Sequence, residues 1–180
     1  MKNTGTLQVT TPSAREIQMV RVFDAPRRLV FEAFTKPELV RQWFGPRGYS
    51  LVVCDMDVRV GGGWRFVIRG PDGSDMGMRG VIRELTPPDR LSHVETFDDY
   101  PGEALITTTF VEQQGKTTVT ILCAYDTQQA RDAVVQSGME HGAAESYDRL
   151  AEFVEHTSST HATAVQEIHH AEDYTLPLVQ

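Results

Sequence analysis

The sequence predicts an α+β domain: one curved antiparallel sheet of about seven strands wraps around a long C-terminal helix, with two short helices between the first strand and the rest. Three observations carry this. A chain of 180 residues, 40% hydrophobic and 23% charged, has the size and composition of one globular domain. Six consecutive runs rich in Val, Ile, Thr and aromatic residues are separated by turns too short for parallel neighbours, because a parallel crossover takes about a dozen residues or more. A last amphipathic stretch without internal Pro is long enough to cover that sheet.

Residues 1–14 are polar and Thr-rich and read as a flexible start, and 15–156 read as the domain. Glu16 to Phe23 alternates as a strand, with Ile17, Met19 and Arg21 on one face. Pro26 suits a first helical position, and Leu29, Val30, Phe31 and Phe34 give a short amphipathic helix. Thr35, Pro37 and Glu38 start a second through Leu39, Val40, Trp43 and Phe44, which Gly45-Pro46-Arg47-Gly48 stops. Strands follow at 50–60, 63–70, 75–86, 90–97, 104–113 and 116–125, divided by turn chemistry such as Pro71-Asp72-Gly73 and Pro87-Pro88-Asp89.

Asp126 and Gln129 have the spacing of a capping box, and a helix follows from Thr127 to His156. Val135, Met139, Ala143, Ser146, Leu150 and Phe153 define its inner face. At 1.5 Å per residue it runs to about 40 Å, enough to cross a sheet with strands of about 30 Å. Residues 157–180 form a tail that starts as a small-polar linker and ends apolar at Tyr174, Leu176, Leu178 and Val179.

Composition excludes several classes. The formal charge of -8, from 17 Lys+Arg against 25 Asp+Glu, and the lack of a basic cluster argue against nucleic acid. No apolar run approaches the roughly 20 residues of a membrane span, and no secretory segment is evident, so insertion in a membrane is not expected and the cytoplasm is the default location. Cys54 and Cys123 lack CxxC spacing and read as buried thiols. Gly61-Gly62-Gly63 lacks the Lys-Ser/Thr of a phosphate loop, and no Gly-x-Ser-x-Gly elbow occurs. His161, His169, His170, Glu172 and Asp173 match no metal spacing, so neither a metal nor a cofactor is expected.

The order of elements resembles the helix-grip fold of the START and pollen-allergen superfamily, also called SRPBCC. Four segments sharpen the likeness: Gln42-Trp43-Phe44-Gly45-Pro46; Asp57 to Phe66 with Arg69-Gly70-Pro71-Asp72-Gly73; Ser137 to Gly142; and Tyr147-Asp148-Arg149-Leu150. They are similar to the bacterial, AHSA-type proteins named after the activator of heat-shock protein 90 ATPase, over about residues 15–155. The resemblance implies a cavity between sheet and long helix, and members that mostly bind hydrophobic small molecules.

Alternation places Trp64, Phe66 and Ile68 on one face of their strand and Met76, Met78, Gly80 and Ile82 on the matching face of the next, giving an aromatic and Met-rich inner wall. Arg59, Arg65, Arg69, Arg79 and Arg83 then form an outer charged face, paired with Asp55, Asp57 and Glu84. Leu91, His93, Glu95 and Phe97 share a face, and the flanking Leu and Phe turn it inward; the alternative is an outward pair with Ser92, Val94 and Thr96 facing in. Inward, burial would raise the Glu95 pKa and an imidazolium would lower it. Gly138, Gly142, Ala143 and Ala144 leave little volume on the helix opposite, through either close packing or a pocket.

These features point first to a carrier of a small hydrophobic molecule, without a strong catalytic signature. Trp43, Trp64, Phe66, Met76, Met78, Phe97, Phe110, Met139 and Tyr147 would hold the apolar body, and His93 and Glu95 the polar end. A second reading makes His93 and Glu95 the acid and base of a cyclase- or hydratase-like reaction. A third is a chaperone-associated interaction module, and sheet edges or the tail offer a route to a homodimer.

Overall fold

Strand alternation, turn placement and helix capping assemble into one α+β architecture in the computed structural model, which describes residues 7–172, with side chains described through 158. The strands are β1 (Gln8–Thr10), β2 (Glu16–Phe23), β3 (Ser50–Met56), β4 (Gly63–Arg69), β5 (Asp75–Thr86), β6 (Arg90–Phe97), β7 (Ala104–Gln113) and β8 (Lys116–Tyr125). The helices are α1 (Arg27–Thr35), α2 (Pro37–Trp43), α3 (Gln128–Gln136) and α4 (Met139–Glu172). All eight strands form one antiparallel sheet in the order β1-β2-β8-β7-β6-β5-β4-β3. The expected meander is the run β3 to β8, and β2 joins its far side by pairing with β8.

Several local features differ from the sequence reading. The stretch read as a flexible start holds β1, which pairs Gln8 with Val20 and Thr10 with Gln18, while Leu7 is buried. Backbone pairing satisfies a polar strand without any hydrophobic alternation. Pro26 is the N-cap of α1, one position earlier than expected. The C-terminal helix is two helices. Gly138 adopts φ +77°, a conformation that Gly reaches at little cost, and the chain restarts at Met139. The cap of α3 is the Thr127 hydroxyl, which accepts from the Ala130 N–H, rather than the Asp126–Gln129 box. Val135 is correspondingly exposed and does not belong to an inner face. The tail, expected to start as a small-polar linker, instead continues α4 as far as Glu172; its apolar end at 174–179 lies outside the described residues.

Helix α4 is tied to the rest by several polar contacts, among them Arg47 with Glu145 and Glu152. Arg21, buried on the inner face of β2, donates to the Asp148 carboxylate at 2.6 Å. Arg149 reaches the end of α2 and donates to the carbonyls of Gln42, Phe44, Gly45 and Pro46, the shortest being Gly45 at 2.8 Å. These carbonyls include groups that a helix C-terminus leaves without intrahelical partners. Gly142 packs beside the Pro46 ring, which would lie 3.4 Å from an added Cβ.

The outer face carries the arginines as expected, with a partly different set of partners. Arg65 and Arg79 both pair with Asp98, Arg69 with Asp75, and Arg59 with Asp57; Glu84 pairs with Arg90. Asp98 follows β6 directly, and this position brings it across from both arginines.

The inner face divides. One core cluster joins α1, α2 and α4 to β2, β7 and β8 through residues such as Phe23, Val30, Ile106, Phe110, Val119 and Leu150. A second joins Val40 to β3, β4, β5 and β6 through Cys54, Trp64, Phe66, Met78, Ile82 and Leu91. The closest helix approaches to the sheet are at β2, β3, β7 and β8. The seam between the clusters runs along β6.

Candidate ligand-binding site

On β6 the register is unbroken through the pairs His93–Ile106 and Glu95–Ala104, so both side chains share the face of the buried Ile106 and Ala104. The inward assignment therefore holds. Opposite, Ile82 pairs with His93, and Gly80 falls across from Glu95 between the pairs Arg79–Thr96 and Ile82–His93. Glu95 thus has a glycine on one side and an alanine on the other. Neither brings a polar or charged group to it.

Gly80 is fixed by close approach. A Cβ there would collide with the Val94 carbonyl oxygen and lie 2.8 Å from Trp64 Nε1. The Trp64 indole lies over this glycine, edge-on to the His93 ring at 5.2 Å between centroids and tilted against Phe66 at 5.1 Å. Its Nε1–H is buried and has no hydrogen-bond partner among the described residues.

The titratable groups that sense Glu95 come from two other elements. Cys123 and Tyr125 on β8 and Tyr147 on α4 each respond to its charge. Burial is the main cause for all three: it pushes the Cys123 thiol up to about 12 and both phenols well above their ordinary value. Desolvation alone raises Glu95 to about 7 and lowers His93 to about 4. The imidazolium that would have lowered Glu95 does not form near neutral pH, so the acid rises unopposed.

Glu95, His93, Tyr125 and Tyr147 are each only partly buried by surface area. Desolvation nevertheless disfavours the charged form of each of the four. No side-chain hydrogen bond joins any of the four to a described residue, and no opposite charge accompanies Glu95. Buried polar groups in proteins are usually paired. Here four converge without protein partners.

The apolar residues named from sequence divide between wall and core. Trp64, Phe66, Met78 and, half-buried, Met76 and Phe97 belong to the β4–β6 cluster, and half-buried Met139 and Tyr147 pack against the other. Trp43 and Phe110 are in the packed core: the Trp43 Nε1–H donates to the Ala33 carbonyl, and Phe110 stacks edge-on against Phe31 and Phe34. Tyr147 bridges core and site, with its ring 5.9 Å from Trp43 and 6.4 Å from Phe34. Cys123 and Tyr125 were missed from sequence; their register opposite Ile106 and Ala104, two positions along from the β6 pair, was the available signal.

Among the described residues no three His, Cys, Asp or Glu side chains come together as metal ligands. No described helix is long and apolar enough to cross a membrane. Outside the site, an open surface cleft of about 680 Å³ is lined by Arg27, Asp89, Arg90 and Glu112 at the opposite end of β6.

A curved antiparallel sheet gripping a C-terminal helix, with polar groups held on its inner face, defines the helix-grip class. Within it, the sequence profile described as "Activator of Hsp90 ATPase homolog 1-like protein" matches residues 24–155, and the chain belongs to that family, whose fold commonly binds hydrophobic ligands. A crystal structure of a protein from Rhodobacter sphaeroides is 32% identical, with TM-score 0.80, over 84% of this chain and 99% of that one. One from Chromobacterium violaceum is 27% identical, with TM-score 0.69, over 79% and 99%. One from Nitrosomonas europaea is 22% identical, with TM-score 0.75, over 83% and 99%, and shows the shared fold. No curated protein matches.

Proposed function

We propose that the protein binds a small hydrophobic molecule between the inner face of β4–β6 and α4, as a carrier or sensor. The polar end of the ligand meets His93, Glu95, Tyr125 and Tyr147, and its body rests on Trp64, Phe66, Phe97 and Met139. One observation carries the reading: polar side chains converge on the seam between two apolar clusters without partners of their own. Such groups cost free energy unless something else completes their hydrogen bonds. A ligand of mixed character supplies both the bonds and the apolar contact.

The test is a thermal-shift and calorimetric screen of lipids, flavonoids and polyketides. A ligand present at 100 times its Kd stabilises the folded state by about 2.7 kcal/mol, a readily measured shift in Tm. Absence of any shift at saturating concentrations would remove the carrier reading.

The Glu95 pKa of about 7 favours a second reading, in which this group exchanges a proton with a bound ligand. Glu95→Gln separates the two. A carrier keeps much of its affinity for an uncharged ligand, whereas an acid–base enzyme loses turnover.

A further inference from the structure

We propose that the interior site takes an organic cation, a lipophilic amine or ammonium whose charge sits at Glu95 and whose apolar body lies against the aromatic wall. The inference rests on the reading of the interior as a ligand site and adds the charge of the ligand.

Charge accounting around Glu95 leads to this choice. The groups that sense its charge are Cys123 and Tyr125 on β8 and Tyr147 on α4, and His93 lies on the same face of its own strand, two positions away. Its neighbours on β5 and β7 are Gly80 and Ala104, which bring no charge. None of these is a cation at neutral pH, because burial holds the His93 imidazole neutral. The cation on the inner face, Arg21 on β2, is engaged by Asp148 on α4 at 2.6 Å.

An anionic ligand would therefore place like charge beside a desolvated carboxyl group with nothing to offset it. A neutral ligand gains hydrogen bonds only. A cation gains a counter-ion in a site where water does not screen the pair. It also meets Trp64, Phe97 and Tyr147, residue types whose ring faces attract organic cations. The net charge of -8 adds a long-range bias of the same sign.

Three probes with the same apolar body make the test: naphthylmethylamine, naphthylmethanol and naphthoate, each titrated by calorimetry against the full chain and Glu95→Gln. The amine is expected to bind the parent protein about 10-fold or more tighter than the alcohol, with the acid weakest, and Glu95→Gln is expected to bring amine and alcohol to within about 2-fold. Amine affinity for the parent should also fall as pH is lowered from 8 to 5.5, which checks the assignment without any variant. Equal or tighter binding of naphthylmethanol or naphthoate, or an amine preference that survives Glu95→Gln, overturns the charge assignment. Silence from all three probes instead overturns the ligand-site reading beneath it.

Discussion

Glu95→Gln should stabilise the ligand-free protein, and by an amount that grows with pH. The carboxyl titrates at 4.5 in an unfolded chain and at about 7 in the fold, because burial disfavours its charged form. A folded-state pKa above the unfolded value means that the native state binds the proton more tightly. The penalty is therefore absent below pH 4, grows as pH rises through the interval, and is complete above pH 8. One pKa unit corresponds to 1.36 kcal/mol, so the full penalty is about 3 kcal/mol. Gln is nearly isosteric and never charges. Urea unfolding of both proteins from pH 4.5 to 8.5 should give a stability difference near its baseline at the acid end that rises by about 3 kcal/mol at the alkaline end. His93, lowered to about 4, contributes the opposite trend, losing stability as pH falls below 6.5, but it is common to both proteins and cancels in the difference. A difference independent of pH would refute the reasoning, since it would mean that the carboxyl is solvated or paired.

The inner- and outer-face glycines of β5 should differ in how much a methyl group costs. Gly80→Ala forces its Cβ into the Val94 carbonyl and should cost more than about 3 kcal/mol in urea unfolding, whereas Gly77→Ala meets only the mobile ends of the exposed Arg65–Asp98 pair and should cost about 1 kcal/mol. Arg149→Met removes the donor that holds the carbonyls at the end of α2 and should lower stability by about 2 kcal/mol, measured the same way. Cys123, pushed up to about 12 by burial, should resist a thiol reagent at pH 8 in the native state and react at once in denaturant, read by mass spectrometry.

How much of this was legible in the sequence differs by element. The β3 to β8 meander was readable because short turns force antiparallel neighbours, and the buried side of β2, including Arg21, followed from alternation. His93 and Glu95 could be turned inward because Leu91 and Phe97 flank them at two-residue steps. Strand β1 escaped because three residues paired through their backbone leave no side-chain pattern. The break at Gly138 escaped because a glycine inside an amphipathic stretch reads equally as a helical position of small volume and as a turn with positive φ. Cys123 and Tyr125 escaped because their part in the site depends on β8 lying beside β7, and on register across strands. The same dependence explains Trp43 and Phe110, whose aromatic character suggested a wall and whose neighbours on α1 make them core.

The most direct test of the central claim is a side-chain and backbone NMR titration of the protein with naphthylmethanol, a neutral probe indifferent to the charge assignment. The account predicts saturable shifts centred on Trp64, His93, Glu95, Cys123 and Tyr147. Shifts confined to the surface cleft at Arg27, Asp89 and Glu112, with the β6 pair unmoved, would contradict it.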